Sequence, residues 1–344
     1  MRVVFSSCKN PHFVTITEYI ENALTQVCQP VFFDNRAFLI PGGIRDRVPL
    51  LERIDLLRMN KKLISIVDKL KPDVFLETGG HRIFPETIRA IKRRGAKTVL
   101  WTIDSPKSFD ELLFVSASEY DFIFTGGSEG YKLLKGRDVK NLHFLPFACD
   151  SAIHRQVKLT DKEMPLYSAD IAFVGTMNPS EYPYRVKVLE SLSDFNLAVW
   201  GPGSELLPQA SPLKPLVRGG ETPPEVWAKI YSAAKIVLCV HYRGFHDKLP
   251  CYQASPRVYE ALACGAFLVV DAQPDVVSLF KDRRELVVFK DIDDLRSIIK
   301  YYLQHTKERA KITQAGHEEV LAKHTYVHRV REMFNVINKR SGNG

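Results

Sequence analysis

The sequence predicts an α/β fold of two Rossmann-like, doubly wound domains facing each other across a cleft. Three observations predict it: short β-rich apolar runs that do not alternate with polar residues, segments of helical period between them, and a polar break near the middle after which the series restarts. Runs apolar at every position mark parallel strands covered on both faces, and the intervening helices supply the crossovers.

The first run is Val3-Val4-Phe5, too short for the apolar core of a signal peptide, so it reads as the first buried strand of a cytoplasmic protein. Val31-Phe32-Phe33, Asp73 to Leu76, Thr98 to Ile103, Phe122-Ile123-Phe124 and His143-Phe144-Leu145 follow as strands. Arg53 to Leu70, Pro85 to Arg94 and Ser108 to Ser118 carry the helical period between them. From Asp150 to Ser168 the chain turns polar and irregular. The second series then runs Ile171 to Val174, Leu197 to Trp200, Ile236 to Val240, Phe267 to Val270 and Leu286 to Phe289. Helices are expected at Leu295 to Gln304, Lys307 to Lys323 and Val327 to Asn338. The expected organisation is one Rossmann-like domain over 1–155, a second over 165–322, and a terminal helix over 323–344 that packs back on the first domain.

Composition agrees with a globular protein of this kind. The chain has 344 residues, 45% hydrophobic and 26% charged, and no stretch of about 18 consecutive apolar residues, which excludes an integral helical membrane protein. Lysine and arginine exceed aspartate and glutamate by 48 − 40 = 8, which favours an anionic partner. The basic cluster Lys307, Arg309, Lys311, His328, Arg329, Arg331, Lys339 and Arg340 reads first as a solvated helix face, with peripheral contact to an anionic membrane as the alternative. Six cysteines scattered without a C-x-x-C pair indicate neither a disulfide framework nor a metal site. RNA-binding motifs are not visible, so nucleic acid is not expected as a partner.

The segment Ser255 to Asp271 is the richest in chemistry. Ser255 can cap a helix, Pro256 suits its first position, Gly265 can close it, and a strand follows at once. The helix N-terminus then lies at the carboxyl edge of the sheet, where free N–H groups and the positive end of the dipole suit a diphosphate. Glu260, one turn in, can accept hydrogen bonds from ribose hydroxyls. The alternative is an ordinary capped helix with Glu260 exposed.

Lys229 to Leu238, followed by Arg257-Val258-Tyr259-Glu260-Ala261-Leu262-Ala263-Cys264-Gly265, resembles the C-terminal domain of glycosyltransferases related to the spore maturation protein CgeB. Lys71 to Val74, Trp101 to Pro106, Tyr120 to Phe124, Leu145 to Ala148, Asp170 to Gly175 and His324 to Arg329 match that family in order, so the resemblance covers nearly the whole chain. It implies the two-domain GT-B fold and transfer of a sugar, of the hexosyl type, from a nucleotide diphosphate donor. It further implies a metal-independent reaction with no cofactor, and kinship with the large retaining group. Carried over, Glu260 holds the donor ribose. Ser255 and Arg257 lie near the phosphates, Gly175 and Thr176 end the first strand of the donor domain, Arg185 supplies charge for the departing diphosphate, and Pro256, Val258 and Arg243 complete the donor-binding set. Retaining relatives often carry Glu-x7-Glu, and here Tyr252 stands in place of the first glutamate.

In the first half, the loops Ser6 to Lys9, Thr78 to His81, Ile103 to Ser105 and Thr125 to Ser128 all follow strands. His81 and Asp104 are the candidates for contact with the acceptor, a glycan, a lipid-linked sugar or a small molecule, or, if the enzyme inverts, for a general base that deprotonates the acceptor hydroxyl. A loop-stabilising histidine and a capping aspartate are the plainer alternatives. Asp291-Ile292-Asp293 is read as a helix cap rather than a metal motif, and the absence of G-x-G-x-x-G argues against nicotinamide chemistry. Two other functions fit the same architecture: a nucleotide-sugar epimerase, and a non-catalytic module that binds nucleotide-sugar or a polyanion.

Overall fold

The structure is a computed structural model and describes residues 1–45, 47–104, 106–243 and 251–341. Ser105, part of one of the candidate loops, lies outside the described residues. The chain divides into two compact units, Met1–Pro146 with the last helix, and Phe147–Tyr326.

The first unit contains β1 (Arg2–Ser7), α1 (Ile16–Thr25), β2 (Gln29–Asp34), α2 (Gly42–Arg45), α3 (Pro49–Leu70), β3 (Val74–Thr78), α4 (Pro85–Arg93), β4 (Lys97–Thr102), α5 (Glu111–Ala117), β5 (Phe122–Thr125), α6 (Ser128–Lys135) and β6 (Leu142–Phe144). Its strands form one six-stranded sheet in the order β2-β1-β3-β4-β5-β6, every pair parallel. Val4, Phe5, Phe75, Leu76, Leu100, Trp101 and Ile123 are at most 1% exposed, as strands sandwiched between helices require. The expected helix at Ser108 starts later, at Glu111, because Asp110 accepts the Leu113 N–H and fixes the N-cap there.

The second unit contains α7 (Met164–Tyr167), β7 (Ile171–Val174), α8 (Pro183–Glu190), β8 (Leu197–Trp200), β9 (Val217–Gly219), α9 (Pro224–Ala233), β10 (Ile236–Cys239), α10 (Pro256–Ala263), β11 (Leu268–Asp271), α11 (Pro274–Leu279), β12 (Val287–Phe289), α12 (Ile292–Gln304) and α13 (Thr306–Lys323). Its sheet runs β12-β11-β10-β7-β8-β9, again all parallel. In both sheets the chain reverses its direction of growth once, between β1 and β3 and between β7 and β10. Open α/β sheets bind ligands beyond the carboxyl ends of the strands flanking such a reversal. Strand β9 was not expected from the sequence, since Val217-Arg218-Gly219 is too short and too polar to stand out; it forms as an edge strand against β8.

The last helix, α14 (Tyr326–Ser341), belongs from Val327 onward with the first unit. The division falls at Pro146 rather than in the polar stretch beyond Asp150. Cys149 N–H donates to His324 O, and Tyr326 N–H donates to Cys149 O, which ties the residues after Pro146 to the end of the second unit. Arg329 departs from the solvated basic face expected for it: it is 4% exposed and its Nε donates to Pro146 O over 3.0 Å. Among the described residues no helix is long and apolar enough to cross a membrane.

Candidate functional site

At the reversal in the second sheet, two arginines grip the ends of the flanking strands. Arg185, on α8, donates through Nε to Val240 O and through Nη1 to Thr176 O, both over 2.9 Å. Arg257, on α10, donates through Nε to Val174 O over 2.9 Å. Their guanidinium groups therefore sit over the carboxyl ends of β7 and β10, each backed by an aromatic ring: Arg185 lies 4.1 Å from the Tyr182 centroid and Arg257 4.5 Å from that of Trp227. Burial lowers the Arg185 pKa, but a guanidinium starts so high that it stays charged.

The backbone between β7 and β8 makes this possible by close approach. A Cβ on Gly201, whose φ is +144°, would lie 2.0 Å from Gly175 O, so only glycine fits where the two loops pass.

Helix α10 starts as its sequence foretells. Ser255 caps it, with its hydroxyl accepting Arg257 N–H, and Pro256 occupies the first position, where its missing N–H costs nothing. At the other end Gly265 takes φ +71°, Gly265 N–H donates to Leu262 O and Ala266 N–H to Ala261 O, which together close the helix as a Schellman motif. Val258 is 0% exposed and its N–H donates to Ser255 O, so it anchors the helix in the core and offers no side chain to a ligand. Pro256 has no N–H and contributes direction alone.

Glu260 is 3% exposed, which rules out the reading of an exposed carboxylate on an ordinary capped helix. Its Oε2 accepts Arg257 Nη1 over 3.3 Å, and its Oε1 lies 3.9 Å from His154 Nε2. His154 Nδ1 accepts Asp150 N–H, and burial, outweighing the nearby Glu260 and Asp150, holds its pKa below the ordinary value. Glu260 is thus a carboxylate paired with one cation and buried one turn into α10.

A pair that the sequence reading missed fixes the start of this helix. Asp271, the last residue of β11, accepts both the backbone N–H and Nδ1–H of His241 on Oδ1, over 2.9 and 2.6 Å. His241 Nε2 accepts Ser255 N–H over 2.9 Å. A backbone N–H can only donate, so the ring carries its proton on Nδ1. Burial pushes the Asp271 carboxyl up, but His241 and Arg243 outweigh it and hold the carboxyl below its usual range. Arg243 reaches the same carboxylate, Nε to Oδ2 at 3.6 Å, and lies 4.1 Å from the Tyr184 ring centroid. The one visible signal was position: a histidine just beyond one strand and an aspartate ending its neighbour.

In the first unit, His81 lies between two carboxylates, Nε2 3.3 Å from Asp104 Oδ2 and Nδ1 3.2 Å from Asp110 Oδ2. A neutral imidazole can donate from one nitrogen alone, and the hydrogen bond to Asp104 leads the causes that raise the His81 pKa. Carboxylates facing both ring nitrogens favour the protonated form of His81, which has no lone pair to take a proton. Of the two residues expected to act on an acceptor, Asp104 keeps the capacity of a base. Asp291 accepts Asp294 N–H as the N-cap of α12, as expected for it.

Residues 185–335, which include Arg185, Arg243 and all of α10, match a protein-family model described as glycosyl transferase-like. The whole chain superposes on solved structures at low sequence identity. Sucrose-phosphate synthase from Thermosynechococcus elongatus is 12% identical, with 100% of both chains covered and a TM-score of 0.68. A glycosyltransferase from Rickettsia africae is 11% identical, with 100% of this chain and 99% of the other covered and a TM-score of 0.70. HepE of Anabaena, solved in complex with UDP and glucose, is 11% identical, with 98% of this chain and 100% of the other covered and a TM-score of 0.65. No curated protein sequence matches the chain. The fold is that of the GT-B glycosyltransferases.

Proposed function

We propose that this protein is a glycosyltransferase that moves a sugar, of the hexosyl type, from a nucleotide diphosphate donor held by the second unit to an acceptor engaged by the first. The observation that carries the reading is the pairing of Arg185 and Arg257 over the carboxyl ends of β7 and β10, beside the N-terminus of α10. Fixed cations there stabilise charge as it builds on the leaving diphosphate, which is the largest electrostatic demand of the reaction. Two guanidinium groups, Arg243 and a helix dipole balance a diphosphate without a metal ion or another cofactor, so we infer a metal-independent reaction. Glu260 accepts the ribose hydroxyls while Arg257 holds its second oxygen. UDP is the first donor base to try, because HepE was solved with UDP and glucose. The ordered motifs favour membership of the CgeB-related, retaining glycosyltransferases.

Incubation with nucleotide sugars in EDTA, with and without glycan and sugar acceptors, tests the reading. The expected result is acceptor-dependent release of nucleoside diphosphate and a product with the donor's anomeric configuration by NMR. An epimerised donor formed without acceptor supports the epimerase instead. Binding without any turnover supports a non-catalytic module.

A further inference from the structure

The reversal in the first sheet is also built for a ligand. In the order β2-β1-β3, Asn35 follows β2, Ser6 and Ser7 end β1, and Thr78 ends β3. Arg82, from the loop after β3, reaches back across the end of β1 and donates through Nη1 to Asn35 Oδ1 at 3.4 Å, while Asn35 Nδ2 lies 3.4 Å from Ser6 Oγ. The Arg82 guanidinium therefore lies over the carboxyl end of the strand beside the reversal.

Two buried polar residues of α3 fix the segments that carry the charge. Asn60, 3% exposed, donates to Arg82 O and accepts Phe84 N–H. Asp55, 4% exposed, accepts Leu39 and Ile40 N–H and so pins the chain running from Arg36 to Arg45. Arg45 lies 4.2 Å from the Phe38 ring centroid on that segment. Arg36 directly follows Asn35, the residue that Arg82 contacts, and Arg45 ends the segment that leaves β2 there and is pinned by Asp55; burial first, then the charges of Arg36 and Arg45, lower the Arg82 pKa. Glu77, one residue before the end of β3, is 0% exposed, and burial, outweighing the hydrogen bond from Tyr120 and the charges of His81 and Arg82, pushes its carboxyl up to about 8. A closed hydroxyl chain ties the ends of β1 and β3 to α1: Thr17 donates to Cys8 O, so Ser7 donates to Thr17 and Thr78 to Ser7, over 2.7, 2.9 and 2.6 Å.

We propose that Arg36, Arg45 and Arg82 form a binding site for a phosphomonoester carried by the acceptor. The planar forks of arginine match the oxygens of phosphate, and the repulsion that Arg36 and Arg45 exert on Arg82 is relieved when a dianion enters. This identification of the acceptor class rests on the transferase reading, while the anion site itself does not.

The test is hydrogen exchange of the full chain, read on peptides covering 34–45 and 78–84, with three additions: a soluble hexose phosphate, inorganic phosphate, and phosphatidylcholine vesicles containing phosphatidic acid. Protection by hexose phosphate and inorganic phosphate supports a soluble phosphorylated acceptor; protection by the vesicles supports one borne on lipid. Arg82→Gln is expected to weaken binding about tenfold or more, and Arg36→Gln, an exposed position where folding is not at risk, to weaken it severalfold. Absence of protection in these peptides with every addition, or the same protection in both variants, overturns the site. Peptides covering 255–261, read with UDP in the same experiment, report on the donor site, so either proposal can fail while the other stands.

Discussion

His241 joins the end of β11 to the start of α10: its Nδ1 donates to Asp271 Oδ1 over 2.6 Å, and its Nε2 accepts the N–H of Ser255 over 2.9 Å. The imidazole holds an otherwise unsatisfied helix-terminal N–H in place and orients the helix end on which the donor diphosphate is expected to rest. Removing the ring leaves a buried carboxylate and a buried N–H without this partner, and hydrogen bonds to charged groups are worth about 1.5–3 kcal/mol. His241→Ala is therefore expected to lower the affinity for a nucleoside diphosphate at least tenfold and to lower the melting temperature. Asp271→Asn, which keeps the size but removes the charge holding the tautomer, is expected to do part of the same. Calorimetry on both variants checks this; unchanged affinity in His241→Ala removes His241 from the site.

Gly201 is a second point of no substitution. Alanine there must place Cβ 2.0 Å from Gly175 O at a φ of +144°, so the loops after β7 and β8 must separate. Strain of this kind costs about 1–3 kcal/mol before any clash is counted. Gly201→Ala is expected to fold poorly or to melt several degrees lower, whereas alanine at Gly220, where nothing lies within 4 Å of the added Cβ, is expected to be tolerated. Equal melting temperatures for the two variants would contradict the close approach.

The first unit makes a prediction in pH. Tyr120 donates to Glu77, and burial raises the Glu77 pKa from 4.5 to about 8. Between those values the native state binds a proton that the unfolded chain has released, so the contribution to stability falls as pH rises across that window. His81, raised above 6.5 chiefly by its bond to Asp104, acts with the same sign: its contribution is complete below 6.5 and is lost as pH rises through its native pKa. Glu77→Gln, which can still accept from Tyr120 and carries no charge to bury, is expected to flatten the dependence of melting temperature on pH between 5 and about 8.5. At the upper end it is expected to melt about 2–4 °C above wild type. A variant that follows the wild-type profile at every pH would show that Glu77 is ionised in the native state.

His81 and Asp104 are separable by pH as well. If the enzyme inverts and Asp104 takes the proton from the acceptor, Asp104→Asn is expected to lower kcat about a hundredfold or more, whereas under the proposed retention it is expected to act mainly through KM. His81→Gln is expected to raise KM more than it lowers kcat. Steady-state kinetics across pH decide it, and equal losses of kcat in both variants would return His81 to the role of base.

Much of this was legible in the sequence because it rests on local physics. β7 and β8 run over Ile171 to Val174 and Leu197 to Trp200, as their unbroken apolar runs foretell, and α10 is capped by Ser255 and Pro256 and closed by Gly265. Side-chain pairing across the sheet was not legible. His241 and Asp271 are 30 residues apart in sequence and meet because β10 and β11 are neighbours. Arg82 and Asn35, 47 apart, meet over a strand that neither belongs to. Arg329 looked solvated because it lies in a basic stretch, and the carbonyl that buries it, on Pro146, is 183 residues away.

The central claim, that the second unit holds a nucleotide diphosphate at the start of α10 without a metal, is tested most directly by titration calorimetry of UDP in EDTA against wild type, Arg257→Gln and Glu260→Gln. The account predicts saturable binding to wild type, weakened about tenfold or more in Glu260→Gln through the ribose and in Arg257→Gln through the diphosphate. If UDP and the other nucleoside diphosphates fail to bind wild type, or bind both variants as tightly as wild type, the donor site has been placed wrongly.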